Sequence, residues 1–308
     1  MSMNPKLVKA GTGSNGDQNL YICPYCLINT GKQKAKFYWC TTKNIGHCYV
    51  CNTAVYRKRT IEEICNAFIE EKQIILPEYQ IWNLSKWTYP IKPDSEHDKY
   101  LKGRGITDDL IAKYGIRYCN VPYSGIVLPN GDYTSTNFFQ VRNMDKSAKL
   151  RYVNPSSTKP VYGMCFLEPK PEAVLCEGIL STISTDSPRY TSYGLYGKSI
   201  SGLQLKDLLS TPTVLYNVCL DGGEILAIIR LIGQLLTERE VVGVILLPFG
   251  KDPNDIMSKY GKETFAKFYN SRVFFNKTKL SIMSSQFLKK EENESTWYNF
   301  CKAAKNAT

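Results

Sequence analysis

The stretch AVLCEG (173–178) decides the fold, because an unbroken apolar run there ends on a carboxylate and a glycine. A strand of a parallel sheet reads this way when helices cover both of its faces. Two later runs repeat the form. TVLYNVCLD (213–221) ends on Asp221, and VVGVILLP (241–248) leads into Lys251-Asp252-Pro253-Asn254-Asp255. Between them, GEILAIIRLIGQLL (223–236) places apolar residues at helical spacing. Strand, helix and strand in alternation predict a parallel sheet with covering helices. In such sheets, polar residues beyond the carboxyl ends of neighbouring strands meet in one crevice, and Glu177, Asp221 and Asp252 are expected there. Any one of them reads equally as a turn residue or helix cap; three at successive strand ends point to a site. Clustered carboxylates repel one another and hold their charge best around a cation. Oxygen-only ligands suit Mg²⁺ or Mn²⁺.

Upstream the pattern is basic. YLKGRGIT (100–107) precedes a short helical run, DDLIAKYG (108–115), with Thr107 placed to cap it. Short β-like runs follow: GIVLP (125–129), TNFFQVRN (136–143) after an Asn130-Gly131 turn, and KLRYVN (149–154). Arg142, Arg151 and Lys159 lie in or beside them. On an ordinary sheet such charges are solvated face residues.

The N-terminal part carries Cys23-Pro-Tyr-Cys26 and Cys48-Tyr-Val-Cys51, two knuckles separated by 21 residues. Facing knuckles complete the tetrahedral four-sulfur shell that zinc accepts, so Cys23, Cys26, Cys48 and Cys51 are the expected ligands. Cys40 and His47 are alternatives for one of the four. Lys36-Phe37-Tyr38-Trp39 reads as a strand whose rings either stack on the bases of a single strand or form the ribbon's own small core. TIEEICNAFIEEKQIIL (60–76) has helical spacing, and Pro77, Pro90 and Pro93 then suggest a linker over 77–95. The other six of the eleven cysteines, Cys65, Cys119, Cys165, Cys176, Cys219 and Cys301, read as buried small hydrophobes.

The chain has 39 Lys+Arg against 28 Asp+Glu, a net charge of +11 that favours polyanions through counterion release. No basic amphipathic helix argues for a membrane surface instead. The N-terminus lacks the apolar stretch of a signal peptide, so the expected location is the cytoplasm where the chain is made, a host cell's if the source is a phage.

These segments together resemble the catalytic core of bacterial and phage DNA primases. In that family, YLKGRGI, FFQVRN, KLRYVNP and KPVYGM stand where its basic core motifs do. The resemblance implies that Arg142, Arg151 and Lys159, with Lys102 and Arg104, hold template and nucleoside triphosphate. Arg151 replaces the usual lysine, which keeps the charge and changes its geometry. The later runs are similar to the Toprim domain of primases and some topoisomerases. There Glu177 matches the glutamate, Asp221 the first aspartate of a pair, and Asp252 the later acidic position. Asn254 and Asp255 complete a KDPND stretch. Ser181 and Gly223 stand where the family carries aspartates, and Glu224 is the adjacent substitute. The implied cofactors are structural zinc and catalytic Mg²⁺ or Mn²⁺ on Glu177, Asp221, Asp252, Asp255 and Glu224, with triphosphates as substrates.

The implied activity is synthesis of short RNA primers on single-stranded DNA by two-metal nucleotidyl transfer, with a replicative helicase on a separate chain as partner. A catalytically degenerate single-strand-binding adaptor is the alternative. A topoisomerase fragment fits less well, since it wants a large DNA gate around a nucleophilic tyrosine. Gly194-Leu-Tyr-Gly197-Lys198-Ser199 resembles a phosphate-binding loop but has two residues between its glycines where four are needed, so it reads as a strand-to-helix turn. The expected fold is α+β and multidomain. It comprises a β zinc ribbon (1–60), a helix and linker (61–96), a mixed α/β basic subdomain (97–170), an α/β Toprim domain with a parallel sheet (171–257), and a helical C-terminal tail (258–308). That tail reads as a helicase dock, a nucleic-acid clamp or a solvated cap.

Overall fold

The computed structural model describes residues 9–12, 18–22, 35–40, 45–48, 54–56, 81–120, 124–145 and 147–307. The chain divides into two compact units, Met1–Pro77 and Glu78–Thr308. Residues 60–76, expected to be helical, lie outside the described residues, as do Cys23, Cys26, Cys51 and Cys65.

The described residues of the first unit form an antiparallel sheet in simple sequence order: β1 Lys9–Thr12, β2 Gln18–Ile22, β3 Ala35–Cys40, β4 Ile45–Cys48 and β5 Ala54–Tyr56. Alternation along β3 sends Phe37 and Trp39 to one face and Tyr38 to the other. Phe37 and Trp39 are buried, with ring centroids 6.4 Å apart. Gly46 lies opposite Trp39, and a Cβ there would stand 2.3 Å from the Phe37 ring. The two rings are therefore buried in this sheet's own core, and the reading of them as base-stacking platforms is not borne out for Phe37 and Trp39.

The second unit joins two sheets. The first is antiparallel, in the order β10-β9-β8-β7-β6: β6 Tyr89–Pro90, β7 Arg117–Cys119, β8 Gly125–Pro129, β9 Phe139–Asn143 and β10 Tyr152–Val153. Two helices, α1 Glu96–Gly103 and α2 Asp108–Lys113, lie between β6 and β7. Thr107 caps α2 as its position predicts. Residues 81–95, expected as linker from their prolines, are instead part of this unit. Trp82 bridges to Thr136, and buried Leu84 packs with Val127, Phe139 and Val141. Pro90 is tolerated because it sits at the sheet's edge.

The second sheet has the order β12-β11-β13-β14-β15, built from β11 Glu172–Cys176, β12 Thr191–Gly194, β13 Leu215–Cys219, β14 Val242–Val244 and β15 Val273–Phe275. The first four strands are parallel, as the apolar runs predict, and β15 is antiparallel to β14. Its helices are α3 Ile179–Ser184, α4 Gly202–Ser210, α5 Ile225–Leu235, α6 Pro253–Asn270, α7 Lys277–Phe287 and α8 Glu294–Asn306.

The C-terminal residues are not a separate tail. The helix α6 runs across position 257, β15 extends the sheet, and Met283, Phe287, Trp297, Phe300 and Ala304 from α7 and α8 complete the main core. A second apolar cluster spans both sheets: Leu101, Ile106, Ile126 and Leu128 pack with Ile179, Leu180 and Ile183 of α3. This shared core fixes the basic sheet beside the carboxyl ends of the parallel strands. Of the cysteines read as buried, Cys119, Cys176 and Cys219 are, whereas Cys165 is exposed and Cys301 is half-buried. No helix among the described residues is long and apolar enough to cross a membrane.

Candidate active site

The parallel register decides where the carboxylates meet. Cys176 of β11 lies level with Cys219 of β13, so Glu177 and Asp221 both follow the same end of the sheet. Two backbone bonds then tie the turn after β13 to the turn before α6. Gly222 N–H donates to the Lys251 carbonyl (2.9 Å), and Gly250 N–H donates to the Gly222 carbonyl (2.8 Å). A Cβ on Gly222 would stand 2.0 Å from the Pro248 carbonyl oxygen, so only glycine permits this approach. Asp252 is thereby held next to Asp221, where it also caps α6 by accepting from the Asp255 N–H.

The electrostatics report one shared site. Asp221 is pushed up to about 7, first by burial and then by the charges of Glu177, Asp252 and Glu224. Burial also raises Glu177 and Asp252, and each is raised further by a neighbouring carboxylate. Among the described residues no three His, Cys, Asp or Glu side chains converge tightly enough to enclose an ion as they stand. The reason is local: Glu224 turns to Lys198, and Asp252 turns to the helix N-terminus. Asp255 pairs at 3.8 Å with Lys259. Ser181 is buried in α3 and contributes no carboxylate.

The basic residues reach this cluster through Tyr100. A cleft of about 610 Å³ is lined by Lys99, Tyr100, Arg142, Met144, Ala148 and Arg151 among others. Arg142, buried on β9, donates from Nε to the Tyr100 hydroxyl (3.1 Å) and lies over the Tyr152 ring (4.9 Å). On the other side, Arg104 sits over the Tyr100 ring (5.7 Å) and donates from Nη1 to Asn254 Oδ1 (2.9 Å). Its Nη1 is 4.0 Å from Asp252. Asn254 is fully buried and returns a bond from Nδ2 to the Arg104 carbonyl (2.7 Å). Arg142, Tyr100, Arg104 and Asp252 thus form a continuous line from cleft to carboxylates.

Lys159 donates to the Tyr196 carbonyl (3.1 Å), one residue before Gly197, whose N–H meets the Glu177 carbonyl (3.1 Å). Lys102 does not join this line. It pairs with buried Asp98 (2.9 Å) and with Asp108 (3.4 Å).

Two buried atoms on either side of this line lack a hydrogen-bond partner: Glu177 Oε2, an acceptor, and Arg142 Nη1, a donor. Native structures leave few such groups unexplained. An acceptor of this kind suits a cation and the donor an anion, so the residues present fit a metal–phosphate ligand.

Sequence reasoning missed three contributors. In the sequence, Tyr100 stands only inside a basic motif, Asn254 inside KDPND, and Lys198 inside a run that falls short of a phosphate loop. Each acts through a partner remote in sequence, which local patterns do not register.

No protein-family model matches the chain, and no curated protein matches it in sequence. Solved structures do. The primase of Aquifex aeolicus, comprising its zinc-binding and RNA polymerase domains, is similar at 16% identity. That match has a TM-score of 0.51 and covers 96% of this chain and 88% of that one. The DnaG catalytic core is similar at 17% identity and a TM-score of 0.52, over 68% and 84% of the two chains. A DnaG primase catalytic domain bound to single-stranded DNA gives 16% and 0.51, over 64% and 78%. The chain therefore has the fold of the bacterial primase catalytic core.

Proposed function

We propose that this chain is a DNA primase, polymerising short RNA primers on a single-stranded DNA template. The observation that carries this reading is the continuous line of side chains from Arg142 through Tyr100 and Arg104 to Asp252, which joins the basic cleft to the carboxylate cluster and leaves a buried donor, Arg142 Nη1, unpaired at its cleft end. A triphosphate laid along that line meets a cationic donor at one end and a carboxylate cluster at the other.

Glu177, Asp221 and Asp252 would hold Mg²⁺ or Mn²⁺, with Asp255 and Glu224 beside them. When bound, the ion acts as a Lewis acid that favours 3′-hydroxyl attack on the α-phosphate and departure of pyrophosphate. The protein's own part is positioning. Arg142 and Arg151 hold phosphate in the cleft, Arg104 neutralises charge beside Asp252, and Lys159 braces the turn that carries Glu177's neighbour. No side chain need form a covalent intermediate.

In the first unit, the zinc reading is supported by register. Tyr21 of β2 and Cys48 of β4 both lie opposite Phe37, so the two strands flank β3, run in the same direction and end near the same level. The first knuckle begins directly after β2, and the second begins at the end of β4. Cys48 shares the face of Phe37, whereas His47 pairs with Tyr38 on the opposite face. Four thiolates, without His47, are the ligand set this favours.

The test is incubation of the protein with single-stranded DNA, NTPs and Mg²⁺ or Mn²⁺. Short labelled RNA that disappears in Glu177→Gln is the expected result. Tight binding of DNA with no product under any metal would overturn it in favour of the single-strand adaptor. A replicative helicase on a separate chain is the proposed partner, checked by co-purification.

A further inference from the structure

Lys198 lies in the turn that follows β12. It follows Tyr196, a non-glycine residue at φ 55, and Gly197 at φ 148. A left-handed tyrosine is costly and persists only where its surroundings hold it. Here Lys159 grips its carbonyl, and Gly197 is bonded to the carbonyl of Glu177. This turn carries residue 198 over the carboxylates. The ammonium forms an ion pair with Glu224, the residue that precedes α5, and its charge also acts on Glu177 and Asp221.

The neighbouring position supplies no ligand. Gly223 has φ 113, and a Cβ on it would strain the backbone and stand 2.9 Å from the exposed Phe249 ring, which would have to move. Glu224 is then the one additional carboxylate after Asp221 in this turn, and Lys198 holds it.

We propose that Lys198 is a tethered cation occupying the Glu224 side of the cluster, so that the site takes one divalent ion where four carboxylates would otherwise take two. The inference rests on the reading that Glu177, Asp221 and Asp252 hold a divalent ion. Physically, a covalently attached ammonium is present at high effective concentration and has no translational entropy to lose. A second hydrated cation must displace it from Glu224 against charge repulsion.

The experiment is a Mn²⁺ titration of the full zinc-loaded chain, counting bound ions by electron paramagnetic resonance and calorimetry. The wild type should bind one Mn²⁺. Lys198→Met should bind two, with the first about tenfold tighter, as removal of one nearby positive charge implies. Lys198→Arg should match the wild type, and the double variant Lys198→Met, Glu224→Gln should return to one ion. Two ions in the wild type, or a Lys198→Met protein unchanged in both number and affinity, overturns the role of Lys198 alone. Absence of Mn²⁺ binding from every variant overturns the metal reading of the cluster and this inference with it.

Discussion

Asp221 concentrates the physics of the site in one side chain. Burial and three neighbouring carboxylates push it from 3.8 to about 7. The folded chain therefore keeps a proton that the unfolded chain has released. Its contribution to stability is fully present below the unfolded value and is lost as pH rises from about 4 towards 7. Without divalent metal, Asp221→Asn should flatten the fall in stability over that window. At pH 8 it should stabilise the protein by on the order of 2 kcal/mol, a fully buried shift of this size being discounted for partial exposure. Urea unfolding at several pH values checks this, and an unchanged slope would remove Asp221 from the cluster. Saturating Mg²⁺ should reverse the sign, because the ion stabilises the ionised carboxylate.

At the scale of elements, the site depends on how two turns approach each other. The 221–224 turn and the 248–251 turn are joined backbone to backbone at Gly222. Gly222→Ala forces a Cβ against the Pro248 carbonyl and should cost about 2 kcal/mol or more, separating Asp221 from Asp252. Gly178→Ala is the matched control. That glycine precedes α3 at φ −103 and nothing stands within 4 Å of its Cβ position, so little change in stability is expected. Thermal melts of the two variants separate the cases; equal losses would mean the close approach at Gly222 is not needed.

Elements were legible where periodicity was long. The runs at 173–178 and 213–221 and the helical pattern at 223–236 all appear as strand, strand and helix. The three-residue strand β15 was not legible, because a run so short carries no period. The prolines at 90 and 93 gave a local extended signal, and the bridge from Trp82 to Thr136 overrode it.

For the whole molecule, charge and cysteine spacing carried the furthest inferences. Metal analysis of the full chain is expected to find one zinc, and Cys48→Ser should abolish it. Zinc retained at full stoichiometry in that variant would require Cys40 or His47 as a ligand. Among the described residues, the core clusters of the second unit draw on residues between 84 and 304.

The sequence by itself determined the parallel sheet, the placement of carboxylates at its strand ends, the basic segment before it and the paired cysteine knuckles. These are properties of residue type and spacing along a local stretch, which fix periodicity and face. Only the tertiary structure decided that Phe37 and Trp39 face inward and that Tyr100 and Asn254 join the basic and acidic halves. It alone also set Lys198 among the carboxylates. Those outcomes depend on partners up to about 150 residues apart in the chain, and a contact at that separation leaves no local pattern to read.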